Sequence, residues 1–196
     1  MNNTITYYNL HALQFTTDTQ TVDMSYAQNR FLDKVSPSAY ILDFGCGSGR
    51  DTKYFLTQGY RVSAIDGSEE LCKVATAHTG ILVKHMYFQD LDETSVYDAI
   101  WACSSILHLS WQELHDVLPR MARALISHGI VYTSFKYSDF EGERNGRYFT
   151  DLREDRLQQL IEETDCFMME EYWITSDVRP ERAEEKWLNV ILRKKS

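Results

Sequence analysis

The stretch Asp43-Phe44-Gly45-Cys46-Gly47-Ser48-Gly49 holds the densest chemical signal in the chain. Glycines at 45, 47 and 49 let the backbone turn sharply and approach a ligand closely. A helix expected to start next would point its unpaired N–H groups at that ligand. The spacing is not the dinucleotide pattern G-x-G-x-x-G, which needs glycine where Arg50 stands. It is not a phosphate-binding P-loop either, because no Gly-Lys-Ser/Thr follows. Asp43 adds a carboxylate that suits a cationic ligand better than a pyrophosphate. Asp66, followed by Gly67, comes 66 − 45 = 21 residues after Gly45. A carboxylate about 20 residues on, at the end of the next strand, accepts hydrogen bonds from both hydroxyls of a ribose.

Two further groups have the chemistry of an acceptor site. His108 falls just beyond an expected strand end and titrates near working pH, so it suits a general base. The alternative is a structural histidine bonded to the start of the following helix. The segment 136–150 follows the fifth expected strand and carries Arg144, Arg147, Tyr137 and Tyr148. Two guanidinium groups there can clamp a carboxylate or another anion. The competing reading is a surface loop in which Glu141 and Glu143 neutralise the arginines. The other histidines, at 11, 78, 85, 115 and 128, have no metal-ligand spacing. Cys46, Cys72, Cys103 and Cys166 form no C-x₂₋₄-C pair and read as reduced thiols in core elements. No metal site is expected.

The elements that must carry these residues alternate regularly. Helix is expected over 25–35, strand over 40–44, helix over 50–58 and strand over 61–65. Ser68 caps a helix reaching about residue 77, and a weaker strand covers 82–88. Strand 97–103 precedes a helix from the capping box Ser110-Trp111-Gln112-Glu113 to Ile126. Strand 129–135, the loop 136–150, helix 151–164 and strands 167–174 and 187–193 complete the pattern. Alternation at this spacing predicts an α/β doubly wound, Rossmann-like sheet, mostly parallel, with helices on both faces. Only about a dozen residues, including Arg179-Pro180, join the last two strands. A direct return is easier than a crossover, so the last strand should be antiparallel. Residues 1–24 show no clean period. A single domain over 1–196 is expected, with 1–37 as a cap segment and helix and 38–196 as the Rossmann-like core.

Composition narrows the partners. The 196 residues are 43% hydrophobic and 25% charged, ordinary for a globular domain. Lys plus Arg is 20 and Asp plus Glu is 29, giving 20 − 29 = −9. That balance does not favour gripping nucleic acid by bulk charge. No apolar run approaches the ~18 residues of a membrane span. The start, Met1-Asn2-Asn3-Thr4, lacks the basic and apolar regions of a secretory signal, so a cytoplasmic location is expected.

The glycine stretch with Asp43 and Asp66 resembles the cofactor loop of the class I S-adenosylmethionine-dependent methyltransferases. The resemblance spans about residues 25–195 and implies a seven-stranded sheet whose last strand is antiparallel. It implies S-adenosyl-L-methionine as cofactor, with Gly45, Cys46, Gly47 and Gly49 packed under its methionine part. It implies Asp43 near the cofactor amino group and Asp66, next to Gly67, on the ribose. The family reads adenine after the third strand, which places Phe88 or Gln89 there, although the usual Gly-Asp is missing. Ser104, after the fourth strand, would touch the cofactor backbone. His108, Arg144 and Arg147 would serve the acceptor. Within the family the chain loosely resembles the compact bacterial branch related to tellurite-resistance methyltransferases.

No Asn-Pro-Pro-Tyr or Asp-Pro-Pro-Tyr tetrapeptide occurs, and Pro37, Pro119 and Pro180 are followed by Ser, Arg and Glu rather than Cys. The motifs of DNA amino- and cytosine-methylating enzymes are therefore missing. A small-molecule acceptor, methylated on O, N, S or a similar atom, is expected. RNA or protein as acceptor, or a non-catalytic cofactor-binding protein, are the alternatives.

Overall fold

The computed structural model describes residues 3–179 and 182–196. Nine strands and seven helices run in the order α1 (Asn3–Leu10), α2 (Ala12–Thr19), α3 (Ser25–Leu32), β1 (Tyr40–Phe44), α4 (Arg50–Thr57), β2 (Arg61–Asp66), α5 (Glu69–Thr79), β3 (Lys84–His85), β4 (Tyr97–Ala102), α6 (Trp111–Ala124), β5 (Leu125–Lys136), β6 (Glu141–Arg144), β7 (Arg147–Thr150), α7 (Glu154–Thr164), β8 (Phe167–Ser176) and β9 (Lys186–Lys194) among the described residues. The main sheet has seven strands in the order β3-β2-β1-β4-β5-β9-β8, and β6-β7 form a separate hairpin. Pairing is parallel from β3 to β5, while β9 is antiparallel to both β5 and β8. Six strands thus point one way and the last points back, as the short final connection requires. Pro180, read as part of that connection, lies outside the described residues.

The side-chain period of two in the central strands shows why helices cover both faces. In β4, Ile100 and Ala102 join a core with Leu114, Val117 and Met121 of α6. Ala99 and Trp101 face the other way, onto Phe31 of α3 and Phe55 of α4. Trp101 stacks on Tyr132 of β5 with ring centroids 4.0 Å apart. Each of these fully buried rings contributes roughly 1.5–3 kcal/mol by leaving water. The caps form where the sequence puts them. Ser68 accepts from Leu71 N at 3.2 Å, and Ser110 with Glu113 closes a full capping box on α6.

Four expectations change. Residues 3–19 are two helices, each of eight residues with one buried side chain, Thr4 or Ala12. Elements so short and so little buried leave no apolar stripe to read. The strand expected over 82–88 shrinks to Lys84–His85, followed by a 3₁₀ turn at Phe88–Asp90. Helix α6 ends at Ala124, and β5 starts at once with Leu125. The segment 136–150 is no open loop. Its β6-β7 hairpin turns at Asn145 (φ 53°) and Gly146 (φ 76°). Asn-Gly is the dipeptide that fits a two-residue turn with both φ positive.

Candidate functional site

The carboxyl ends of β1, β2, β4 and β5 open into one cavity of about 230 Å³. The N-terminal helices lie over it, contributing Thr4, Ile5, Tyr8 and Phe15 to its lining. One end is built by the glycine loop. Gly45 (φ 88°) and Gly47 (φ 57°) take backbone conformations that favour glycine. Space repeats the demand. A Cβ on Gly45 would stand 2.5 Å from Ser105 Cβ and 3.0 Å from the Phe88 ring. One on Gly47 would stand 3.0 Å from the Phe15 ring. Ser105 Oγ donates to the Phe44 carbonyl at 2.6 Å, tying the ends of β1 and β4 together beneath the loop.

Asp66 ends β2 beside this loop and lines the cavity. Its carboxylate accepts Gly47 N at 2.9 Å and Ser68 N at 2.8 Å. Burial raises its pKa, opposed by the N–H bonds from Ser68 and Gly47. Each oxygen has a lone pair left for a ligand hydroxyl. Cys46, Gly67, Phe88, Gln89 and Ser104 also line the cavity. Phe88 packs on Phe44 with centroids 4.6 Å apart, and Gln89 donates to Glu113 Oε1 at 3.3 Å. Ser104 N donates to Ser134 Oγ at 2.9 Å. Burial pushes the Cys46 thiol well above its usual range, so it stays protonated.

Asp43 and Gly49 lie outside the cavity lining. Asp43 is buried and accepts Thr52 Oγ1 of α4 at 2.5 Å. Burial and the neighbouring Asp51 carboxylate push its pKa up. Asp51 goes the other way. Burial alone would raise it, but Arg50, Trp101 and Gln28 hold it ionised through their hydrogen bonds. Gly49 (φ 82°) packs against Thr79 and Ala75 of α5, where a Cβ would stand 2.8 Å from Thr79 Cγ2. Its role is to let α4 start close to α5.

The other end of the cavity is built around His108 and Arg147. His108 Nδ1 lies 2.6 Å from the Tyr148 carbonyl, and Nε2 lies 2.9 Å from the Tyr8 hydroxyl. A carbonyl only accepts, so Nδ1 carries the proton and Nε2 takes the proton of Tyr8 in its hydrogen bond. Burial lowers the His108 pKa to about 4, opposed by the Tyr148 carbonyl and aided by the charges of Arg147, Arg144 and Lys136. The imidazole is therefore neutral at neutral pH. Arg147 Nη1 approaches the Tyr8 oxygen at 3.4 Å.

Arg144 sits apart from the cavity lining. It makes a two-pronged pair with buried Asp151, both bonds at 3.0 Å, and lies over the Phe140 and Phe149 rings. The two arginines do not pair with Glu141 and Glu143. Glu141 accepts Trp111 N and the Tyr148 hydroxyl, and Glu143 accepts Asn3 Nδ2. Tyr8 lies in the expected cap segment, but its contact with His108 was not among the sequence expectations. The aromatic spacing Tyr8 to Phe15, two helical turns apart, was its available signal.

A parallel sheet with a glycine loop after β1, an acid ending β2 and a reversed last strand defines a Rossmann-like methyltransferase architecture. Residues 41–129 match the family described as Methyltransferase domain. The Burkholderia thailandensis 1,6-didemethyltoxoflavin-N1-methyltransferase, crystallised with 1,6-didemethyltoxoflavin and S-adenosylhomocysteine, superposes with a TM-score of 0.77. It is 23% identical, over 98% of this chain and 85% of that one. TehB from Haemophilus influenzae gives a TM-score of 0.70 at 18% identity, over 92% of this chain and 66% of that one. An uncharacterized methyltransferase of Staphylococcus carnosus is 26% identical over 122 residues, 59% of either chain. The N-terminal Xaa-Pro-Lys N-methyltransferase 1 of Rattus norvegicus is 38% identical over 98 residues, 46% of this chain and 44% of that protein. The chain thus spans about half the length of these curated relatives. The chain thus shares the fold of these methyltransferases, and its residues 41–129 match the methyltransferase domain.

Proposed function

We propose that the protein transfers a methyl group from S-adenosyl-L-methionine to a small-molecule acceptor. The observation that carries this reading is the single cavity running from the glycine loop and Asp66 to His108 and Arg147 beneath the N-terminal helices. Residues at the first end suit the cofactor. Gly45 and Gly47 turn the loop backbone along the cavity wall, and the Asp66 carboxylate offers free lone pairs to a pair of hydroxyls. Gly67, Phe88 and Gln89 would border its base, and Ser104 its methionine part. The bound cofactor supplies a methyl group made electrophilic by its sulfonium charge.

The chain's own work is alignment, exclusion of water and removal of a proton. Tyr8, Phe15 and Ile5 close the cavity from above and keep water out. His108 holds an unprotonated Nε2 under the Tyr8 hydroxyl, so a proton leaving the acceptor passes to this pair. The overlying helices favour a compact acceptor over a polymer. The Burkholderia relative, a 1,6-didemethyltoxoflavin-N1-methyltransferase with 1,6-didemethyltoxoflavin bound, supports the same reading. A protein N-terminus is the second reading, favoured by the 38% identity to the rat enzyme.

Calorimetry with S-adenosylmethionine and S-adenosylhomocysteine tests the cofactor site, and no binding of either would sink the reading. Transfer of labelled methyl to metabolite fractions, to an Xaa-Pro-Lys peptide and to tRNA tests the acceptor. Label entering only the small-molecule fractions is expected, and label entering the peptide establishes the second reading.

A further inference from the structure

Five cationic side chains line the cavity among the described residues: Arg50, Lys136, Arg147, Arg179 and Arg182. Four of them have a carboxylate partner. Arg50 pairs with Asp51 at 2.8 Å and Arg179 with Asp177 at 2.7 Å. Lys136 pairs with Glu185, and Arg182, its side chain 41% exposed at the rim, approaches the same carboxylate at 3.9 Å. Arg147 differs. No carboxylate of the described residues lies within ion-pair distance of it. Its guanidinium lies over the rings of Tyr7, Phe149 and Tyr8, at 4.6, 5.2 and 5.8 Å. Among the described residues its Nε is buried without a hydrogen-bond partner, and the guanidinium's one polar contact is the neutral Tyr8 hydroxyl.

Arg147 is half-buried, and a guanidinium partly removed from water without a counter-charge recovers only part of the cost from aromatic faces. In a chain of net charge −9 the folded protein has ample carboxylates to spare. The neighbouring Arg144 has taken one of them, Asp151, with two bonds. An arginine left unpaired inside a cavity, beside the group that would take a proton, is built to receive its counter-charge from a ligand. The walls beside Arg147 are flat rings, Tyr8 and Phe149 among them.

We propose that the acceptor is a small planar anion, bearing a carboxylate or an enolate-like oxygen, and that Arg147 holds its charge while its methyl-accepting atom faces the Tyr8–His108 pair. This rests on the methyltransferase reading and names its substrate class. Paired with the anion, Arg147 ceases to repel a proton on His108, so binding of the acceptor makes the imidazole a better base.

The experiment uses the full chain saturated with S-adenosylhomocysteine and titrated in a calorimeter with benzoate and with its neutral analogue benzamide. Benzoate is expected to bind at least tenfold more tightly than benzamide, and Arg147→Gln to abolish that preference with its melting temperature and cofactor affinity unchanged. Equal affinity for the two probes, or no benzoate binding to the cofactor-loaded protein, overturns the proposal. So does a preference lost in Arg182→Gln but kept in Arg147→Gln, which would move the anion to the rim. A well-folded Arg147→Gln that loses cofactor affinity instead would assign the arginine to the cofactor's own carboxylate, again overturning it. Failure to bind S-adenosylhomocysteine at all is a separate result and counts against the methyltransferase reading.

Discussion

The Tyr8 hydroxyl donates to His108 Nε2 across 2.9 Å and one hundred residues of sequence. The direction of that bond is set at the far side of the ring, where Nδ1 must donate to the Tyr148 carbonyl. The Nε2 lone pair is thus engaged by a hydroxyl from a helix that is otherwise weakly buried. Tyr8→Phe removes the hydroxyl and leaves Nε2 without this partner. Methyl transfer is expected to fall at least tenfold, with cofactor affinity within twofold of the parent. A variant that transfers normally would make Tyr8 only a packing residue. Nitrogen NMR gives an independent reading. With its pKa near 4, His108 should keep the Nδ1-protonated neutral form down to about pH 5, and a normal titration near 6.5 would contradict the buried geometry.

Asp66 offers the most direct test of the cofactor end. Its two carboxylate oxygens each accept one backbone N–H and have capacity for a ligand hydroxyl. Asp66→Asn keeps the size and replaces one acceptor oxygen by a donor amide. Hydrogen bonds to a charged acceptor are worth about 1.5–3 kcal/mol each. Cofactor affinity should therefore drop tenfold or more in calorimetry. An unchanged dissociation constant would put the ribose contact elsewhere.

The legible parts of this molecule are those where backbone demands and side-chain period agree. The glycines at 45 and 47, the acid at 66 and the caps at Ser68 and Ser110 each answer a local geometric need, and each stands where that need arises. The reversed last strand followed from the shortness of its connection. What sequence could not separate was the destination of side chains beyond their own element. Arg144 and Arg147 are three residues apart, yet one is spent on Asp151 and the other faces the cavity. That difference depends on the hairpin between them, whose Asn145-Gly146 turn was a readable signal. Asp43 reads as a ligand group by position but is turned onto Thr52 by the start of α4. Tyr8 acts through a tertiary contact with His108, one hundred residues away, which its aromatic spacing to Phe15 does not specify.

Asp43 also makes a prediction about pH. Its pKa in the folded protein is pushed up to about 8, above the unfolded value of 3.8, by burial and by Asp51. The folded state therefore holds a proton that the unfolded state releases. The resulting stability is fully present below pH 3.8 and is lost as pH rises through about 8. Asp43→Asn mimics the protonated form and should not lose this contribution. Urea unfolding at pH 6 and pH 9 should show the variant gaining on the parent at the higher pH. A gap that stays constant between the two pH values would mean that Asp43 is ionised in the fold.

The last prediction concerns the helices α1 and α2, which roof the cavity. Their attachments are few and polar. Tyr148 N donates to Thr4 Oγ1 at 2.9 Å, Ser68 Oγ donates to Asn9 Oδ1 at 2.7 Å, and Tyr8 reaches His108. Apolar support is thin, because Thr4 and Ala12 are the buried residues of the two helices and Leu10 and Leu13 are 76% and 78% exposed. Central strands such as β4, with Ala99 to Ala102 fully buried, are held far more firmly. Local opening should follow this contrast, with the roof opening at a small fraction of the global unfolding free energy. On the proposed reading, opening would also admit the cofactor, since Phe15 and Ile5 pack over Gly47 and Gly67. Hydrogen exchange should therefore be fast across 3–19 and slow across 97–102 in the free protein. Saturation with S-adenosylhomocysteine should slow exchange in 3–19, because a ligand bound under the roof stabilises the closed state alone. Core-like protection of 3–19 without ligand would make these helices a fixed wall and leave the entry route to the side bordered by β8 and β9.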